Sequence, residues 1–172
     1  MNKIFKVFFL FVVLFGLSGF AAAQTVKIAH VNTNDVMNAM PDKAKAEKSL
    51  EKYYNELQDQ LKVMYTEYQN KLQDYQANAE TMSNLVKQSK EKELVDLESR
   101  ITAFQGNAEQ EFEAKRAELL APLLEKIQNA INTVGKEKGC TYIIDIATGT
   151  AVYIGTDAVD VTKDVKAKLG IK

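Results

Sequence analysis

The sequence predicts an α+β chain in which a long antiparallel α-helical hairpin projects from a small β-rich body. Three observations carry that expectation. From Pro41 to about Lys138 the only glycines are Gly106 and Gly135 and the only further proline is Pro122, so little interrupts a helix there. Apolar residues in this stretch recur in steps of three and four, the helical period. The two ends of the chain instead alternate, or cluster β-branched residues between glycine-containing turns, as strands do.

The first residues stand apart from the fold. In "MNKIFKVFFLFVVLFGLSGFAAAQ", Lys3 and Lys6 precede an apolar run from Val7 to Phe20, which ends at Ala21, Ala22 and Ala23. A positive end, an apolar middle and small residues form a secretory signal peptide, with cleavage expected after Ala23. The run is short for a membrane span, and no cysteine near the site could carry a lipid. Removing residues 1–23 leaves 149 residues, a one-domain length, with 20 basic and 23 acidic side chains and a net charge of −3. That balance argues against nucleic acid, whose binding needs a basic patch or stripe. Cys140 is the sole cysteine, so no internal disulfide staples the fold. A buried thiol is the favoured reading of it, beside an intermolecular bridge.

In chain order, Val26, Ile28 and His30 alternate with Lys27, Ala29 and Val31 in a short strand, followed by a helical turn from Thr33 or Asn34. Pro41 suits a first helical position, and Asp42 complements the positive helix end. Leu50, Leu57, Leu61, Met64, Tyr68, Leu72, Tyr75 and Ala79 then form one stripe, whose Met64–Tyr68–Leu72 step is a stutter. Leu94, Leu97, Ile101, Phe104, Ala108 and Phe112 form a second. Between them the chain turns near Glu80–Asn84, where Thr81 or Ser83 can cap a returning helix. The outgoing helix, 42–79, reaches ~57 Å. Glu67–Lys71 and Glu111–Lys115 have the spacing and order of helix-surface ion pairs. Gly139 ends the returning helix. Thr141–Ile146 reads as a strand, Ala147–Thr150 as a turn and Ala151–Ile154 as another strand. Asp160 or Thr162 can cap a last helix with Val161, Val165 and Leu169 on one face and Gly170 at its end.

Strands at both ends of a helical excursion must meet in one body, and so small a core is marginal alone. Ile143, Ile144, Ile146, Val152, Tyr153 and Ile154 want cover on both faces. With Val26 and Ile28 they form the expected oligomer interface. Pro122, inside "EAKRAELLAPLLEKIQNAI", would cost ~3 kcal/mol in a helix interior. It is tolerable where the arm enters the body, and there it is the expected hinge.

Chemistry is scarce. No phosphate-cradling glycine loop is present, which argues against ATP-driven work. His30, the only histidine, has no second imidazole or cysteine near it in sequence, so neither a metal nor another cofactor is expected. A Cys140–His30 pair lacks any orienting third group. No enzyme is expected. Tyr54, Val63, Tyr65, Val86 and Val95 fall off the seam; they either decorate a soluble rod or form a dilute apolar–polar wall for weak contact with an unfolded chain.

The opening "KIAHVNTNDVMNAMPDKAKAEKSL", the tip "ETMS", the run "LLAPLLEKIQNAINTVGKEKGCTYIIDIATGTAVY" and the "DVTKDV" ending resemble, in order over the expected mature chain, the Skp/OmpH family of periplasmic chaperones. The opening and the tip look most like members from the Bacteroidetes. The resemblance implies a homotrimer with a β-rich trimerisation body (residues 24–40 and 123–172). Three hairpin tentacles (41–122, tip near 80–90) surround a cavity and hold unfolded outer membrane β-barrel proteins in the periplasm without ATP. Membrane contact is then only indirect, through clients. The best-known members are strongly basic and this chain is not, so no lipopolysaccharide site is carried over. The alternative is a structural or adaptor coiled coil of the cell envelope.

Overall fold

A computed structural model describes residues 26–171; the expected signal peptide and its cleavage point lie outside the described residues. The elements are strand β1 (Ile28–Val31), helix α1 (Thr33–Ala39), helix α2 (Pro41–Asn78), helix α3 (Asn84–Lys138), strand β2 (Tyr142–Asp145), a 3-10 turn (Ile146–Thr148), strand β3 (Val159–Asp160) and helix α4 (Thr162–Lys168). Helices α2 and α3 form the hairpin arm.

The sheet is parallel throughout, in the order β2-β1-β3. The strand from the start of the chain is therefore central, and the two from its end flank it. Side chains alternate across a strand, and Ala29 and Val31 take the covered face while Ile28 is half exposed. Against that face pack Val36 of α1, Leu123, Ile127, Ala130 and Val134 of α3, and Val161 and Val165 at the start of α4 and within it. Met40 closes the same core. Polar ties hold the ends in register. Thr33 donates from its backbone N–H and hydroxyl to the Asp145 carboxylate, at 3.2 and 2.6 Å. The Asn32 N–H donates to the Thr162 hydroxyl at 3.0 Å.

The arm begins as its sequence dictates. Pro41 occupies the first turn of α2 with Asp42 beside it, and α2 ends at a turn where the Thr81 N–H and hydroxyl both donate to the Asn78 carbonyl. Ser83 caps α3, its hydroxyl accepting from the Val86 N–H. The two apolar stripes face each other, with Leu57, Leu97 and Ile101 buried at the middle of the seam. Helix α3 continues through Pro122 without interruption. It ends at Gly139, whose φ of 64° is the left-handed conformation that closes a helix without a Cβ penalty.

Two expectations require correction. Ala151–Ile154 is not a strand; that stretch is irregular, and Val159–Asp160 takes the free edge of β1 instead. Its β-branched composition reflects a demand for apolar contact, which side chains laid beside a sheet satisfy without joining its ladder. Nor do the Glu67–Lys71 and Glu111–Lys115 pairs form. Lys71 bridges to Glu93 on the opposite helix at 3.2 Å, Lys115 turns to Glu118, and Glu111 accepts from the Tyr53 hydroxyl at 2.9 Å. A partner across the seam competes with one a turn away, because exposed i,i+4 pairs are worth only a few tenths of a kcal/mol.

Candidate functional site

The structure leaves two apolar surfaces without an internal partner. The first is the outer face of the sheet. Alternation turns Tyr142 and Ile144 outward beside Ile28, and the irregular segment 151–158 adds more. Val26, Ile28, Ile144 and Ile154 are about half exposed, while Tyr153 is 86% and Val152 fully exposed. So many large apolar side chains on one small body exceed the isolated exposures normal for a soluble surface. Ile146 is half-buried and, with Ile28 and Ile144, lines a crevice of about 150 Å³ beneath the segment. Ile143 points the other way, against the chain's own core. Of the eight expected interface residues, it alone faces inward.

His30 lies on this outer face, in register between Ile144 and Asp160. Burial pushes the Asp160 carboxyl up, but hydrogen bonds from Thr162 and the charges of His30 and Lys163 outweigh it, so the group ends below its ordinary value. The Asp145 carboxylate accepts from Thr33 and from the Ala147 N–H, which makes it a tie between elements. Cys140 is half-buried against the core and free. Among the described residues no group of three His, Cys, Asp or Glu side chains could hold a metal.

The second surface is the arm. Tyr54, Val63, Tyr65, Val86 and Val95 are all exposed, between 43% and 68%, but the structure does not gather them on one wall. Tyr54 stands edge-on to Phe112 at 5.8 Å, rimming a groove of about 290 Å³ with Leu57, Leu61, Phe104 and Ala108. Gln105 lines the same groove and donates to the Tyr65 hydroxyl at 3.1 Å, so Tyr54 and Tyr65 share a flank. Val63 lies on the other flank, in a groove of about 690 Å³ with Met64, Ala103 and the charged Asp59 and Arg100. Phe104 forms the floor between the two. Val86 and Val95 sit nearer the tip. Exposed Leu85 and Leu124 were not singled out from sequence. Leu124 adjoins Leu123, and only the body core shows which of the two is covered; Leu85 stands among exposed neighbours, with no signal to mark it.

Polar groups lace the seam from end to end. Asp42 meets Lys126 at 2.8 Å at the base and Asp74 meets Lys90 at 3.0 Å near the tip. Hydrogen bonds from these lysines hold both carboxyls below their ordinary values. Tyr53 and Tyr75 donate to Glu111 and Glu91, and those carboxylates push both phenols up. Such contacts hold two helices together yet exchange with water at small cost.

Pro122 is exposed, and Leu123, the next residue, is the first on α3 to enter the body core. No helix among the described residues is long and apolar enough to cross a membrane.

Comparison with known proteins gives the same outline. The Chaperone protein Skp of Blochmanniella pennsylvanica is 26% identical over 144 residues, 84% of this chain and 86% of that protein. That of Pectobacterium atrosepticum is 27% identical over 150 residues, 87% and 89% of the two chains. The crystal structure of an OmpH-like outer membrane chaperone from Caulobacter crescentus superposes with a TM-score of 0.64 at 17% identity, covering 83% of this chain and 82% of that one. At that identity the likeness speaks for the fold. Residues 27–169 match the family described as Outer membrane protein (OmpH-like), and with a match of that extent the chain belongs to this family of Skp-like chaperones.

Proposed function

We propose that the protein is an ATP-independent periplasmic holdase. Three copies join through their bodies, and their arms enclose unfolded outer membrane β-barrel proteins and keep them from aggregating. The observation that carries this reading is the pairing of two unfilled surfaces in one chain: an apolar sheet face on the body and thin, apolar-and-polar flanks on the arm. The first suits a permanent partner, because large apolar exposure on a small body favours burial against another copy. The second suits a transient one. Each flank contact is weak, but enclosure by three arms raises effective concentration, so avidity builds without a specific pocket. Release then requires only that the client fold elsewhere and withdraw the surface that bound.

On this reading Val26, Ile28, Ile144, Ile146, Val152, Tyr153 and Ile154 make the contact between copies. The signal peptide is removed after Ala23, and residues 41–122 act as an arm on a body of 24–40 and 123–172. Pro122 serves as hinge: it cannot donate to the Glu118 carbonyl, which water reaches instead. Pro122→Ala should narrow the spread of arm openings seen by small-angle scattering, and an unchanged spread would remove the hinge from the mechanism.

The experiment for the function is aggregation. A urea-unfolded outer membrane β-barrel protein is diluted into buffer with the processed chain and no ATP, and light scattering is followed. Suppression saturating near one trimer per client is the expected result. Scattering unchanged at excess trimer would leave the chain a structural protein of the envelope.

A further inference from the structure

The two flanks of the arm are chemically unlike, and we propose that the flank carrying Tyr54, Tyr65 and Phe112 is the wall that receives the client, in the form of an extended, unfolded strand segment. This deepens the holdase reading and rests on it. An unfolded strand brings two needs: apolar side chains on alternate positions, and backbone N–H and C=O groups that lose water when covered.

The Tyr54 flank meets both. Its groove of about 290 Å³ has an apolar floor of Leu57, Leu61, Phe104 and Ala108, large enough for one aromatic or aliphatic side chain. Around it stand neutral donors and acceptors: the amides of Gln58 and Gln105 and the hydroxyl of Tyr65. Only Glu109 at its rim is charged. The opposite groove is larger, but an acid and a base, Asp59 and Arg100, line it. A neutral segment covering them would strip water from two charges without replacing it. Complementarity of charge therefore favours the Tyr54 flank.

The test places the photo-crosslinker p-benzoylphenylalanine at Gln58, on the proposed wall, or at Gln60, on the other flank, in the full processed chain. Both positions are exposed. Each variant is mixed with a urea-unfolded outer membrane β-barrel protein and irradiated. Adducts are expected from Gln58 about tenfold over Gln60. In parallel, Tyr54→Ser combined with Tyr65→Ser should weaken capture about tenfold, and the pair Gln60→Ser, Asn107→Ser should leave it within about twofold. Unchanged circular dichroism of each variant shows that the arm is intact. Equal labelling from both positions, or more from Gln60, with capture intact, overturns the choice of wall and leaves the holdase reading standing. No capture by the unlabelled chain and no adduct from either position removes both.

Discussion

In the body, Val31, Val36, Val134, Val161 and Val165 are almost wholly buried and belong to one cluster of ten core residues. The arm is the longer part, yet its deeply buried apolar residues among those described are Ala46, Leu57, Leu97 and Ile101. Elsewhere its helices meet through half-covered side chains and exposed polar pairs. The body is held by area removed from water, which is lost all at once; the arm is held by contacts that water or another chain can replace singly. One chain thus combines a part that fixes a structure and a part that can yield to a visitor. The outer face of the sheet is the exception within the body, with a demand for burial that the single subunit leaves unmet.

The comparison breaks most visibly at that exception. Ile144→Asp puts a charge in the middle of the exposed sheet face, at a residue already 42% exposed, so the subunit should still fold. Covering that charge in an assembly would cost several kcal/mol. The expected outcome by sedimentation is a monomer at concentrations where the parent chain forms the proposed trimer. A variant that remains trimeric would show that the copies join elsewhere.

Truncations inside the two regions sharpen the contrast. Ile127→Ala hollows the body core and should cost about 3 kcal/mol in urea unfolding, within the usual range for such a change. Leu57→Ala lies in a seam two helices thick that can close on the gap, and should cost less than about half as much. Equal losses would mean that the arm is packed as tightly as the body and cannot yield as proposed.

Acid should loosen the arm where its ion pairs have no apolar core behind them. The carboxyls of Asp42 and Asp74 are held below their ordinary values by Lys126 and Lys90. Their contribution is present above the unfolded carboxylate value, about 3.9, and fades as pH falls through the lowered folded one. Tyr53 and Tyr75 have the opposite sign: their raised folded values mean support that is complete below about pH 10 and lost as the phenols ionise. Site-resolved NMR shifts beside residues 74 and 90 should therefore move below about pH 4, as should those beside Asp160, whose carboxyl is lowered too, while those around Val134 in the apolar core hold. Simultaneous change around Val134 would make arm and body one cooperative unit.

Much of the arm could be read in advance, because its logic is local. Pro41, Ser83 and Gly139 punctuate the helices where their backbone chemistry requires, and the stripes through Leu57 and Leu97 face each other as their period demands. The body was legible in its elements and less so in its pairing. The segment Ala151–Ile154 has strand composition yet joins no strand; β3 takes the second edge of β1, and the outer edges of β2 and β3 stay unpaired. Which face of β1 is covered depends on helices far away in sequence. The same limit applies to the arm's exposed residues. Composition marks Tyr54, Tyr65 and Val63 as off the seam, but only the partner helix divides them between flanks.

The smallest expected effect concerns two glycines of one helix. Gly106 is exposed in the arm, and a Cβ there would meet nothing within 4 Å; Gly135 lies against the body, where a Cβ would stand 3.2 Å from the Cδ1 of Ile143. In an open helix, glycine to alanine gains about 1 kcal/mol from the entropy the chain no longer loses. Gly106→Ala should show that gain in full. At Gly135 the same gain is present, but the Ile143 methyl must move by a few tenths of an ångström against the contact between α3 and β2. Overpacking of that kind offsets the propensity term, so the net change should fall within about 0.5 kcal/mol of zero. The difference between the two substitutions, measured as urea midpoints, isolates the packing term because the chemistry is identical. If Gly135→Ala stabilises as much as Gly106→Ala, Ile143 moves freely, and the body would share the looseness assigned here to the arm.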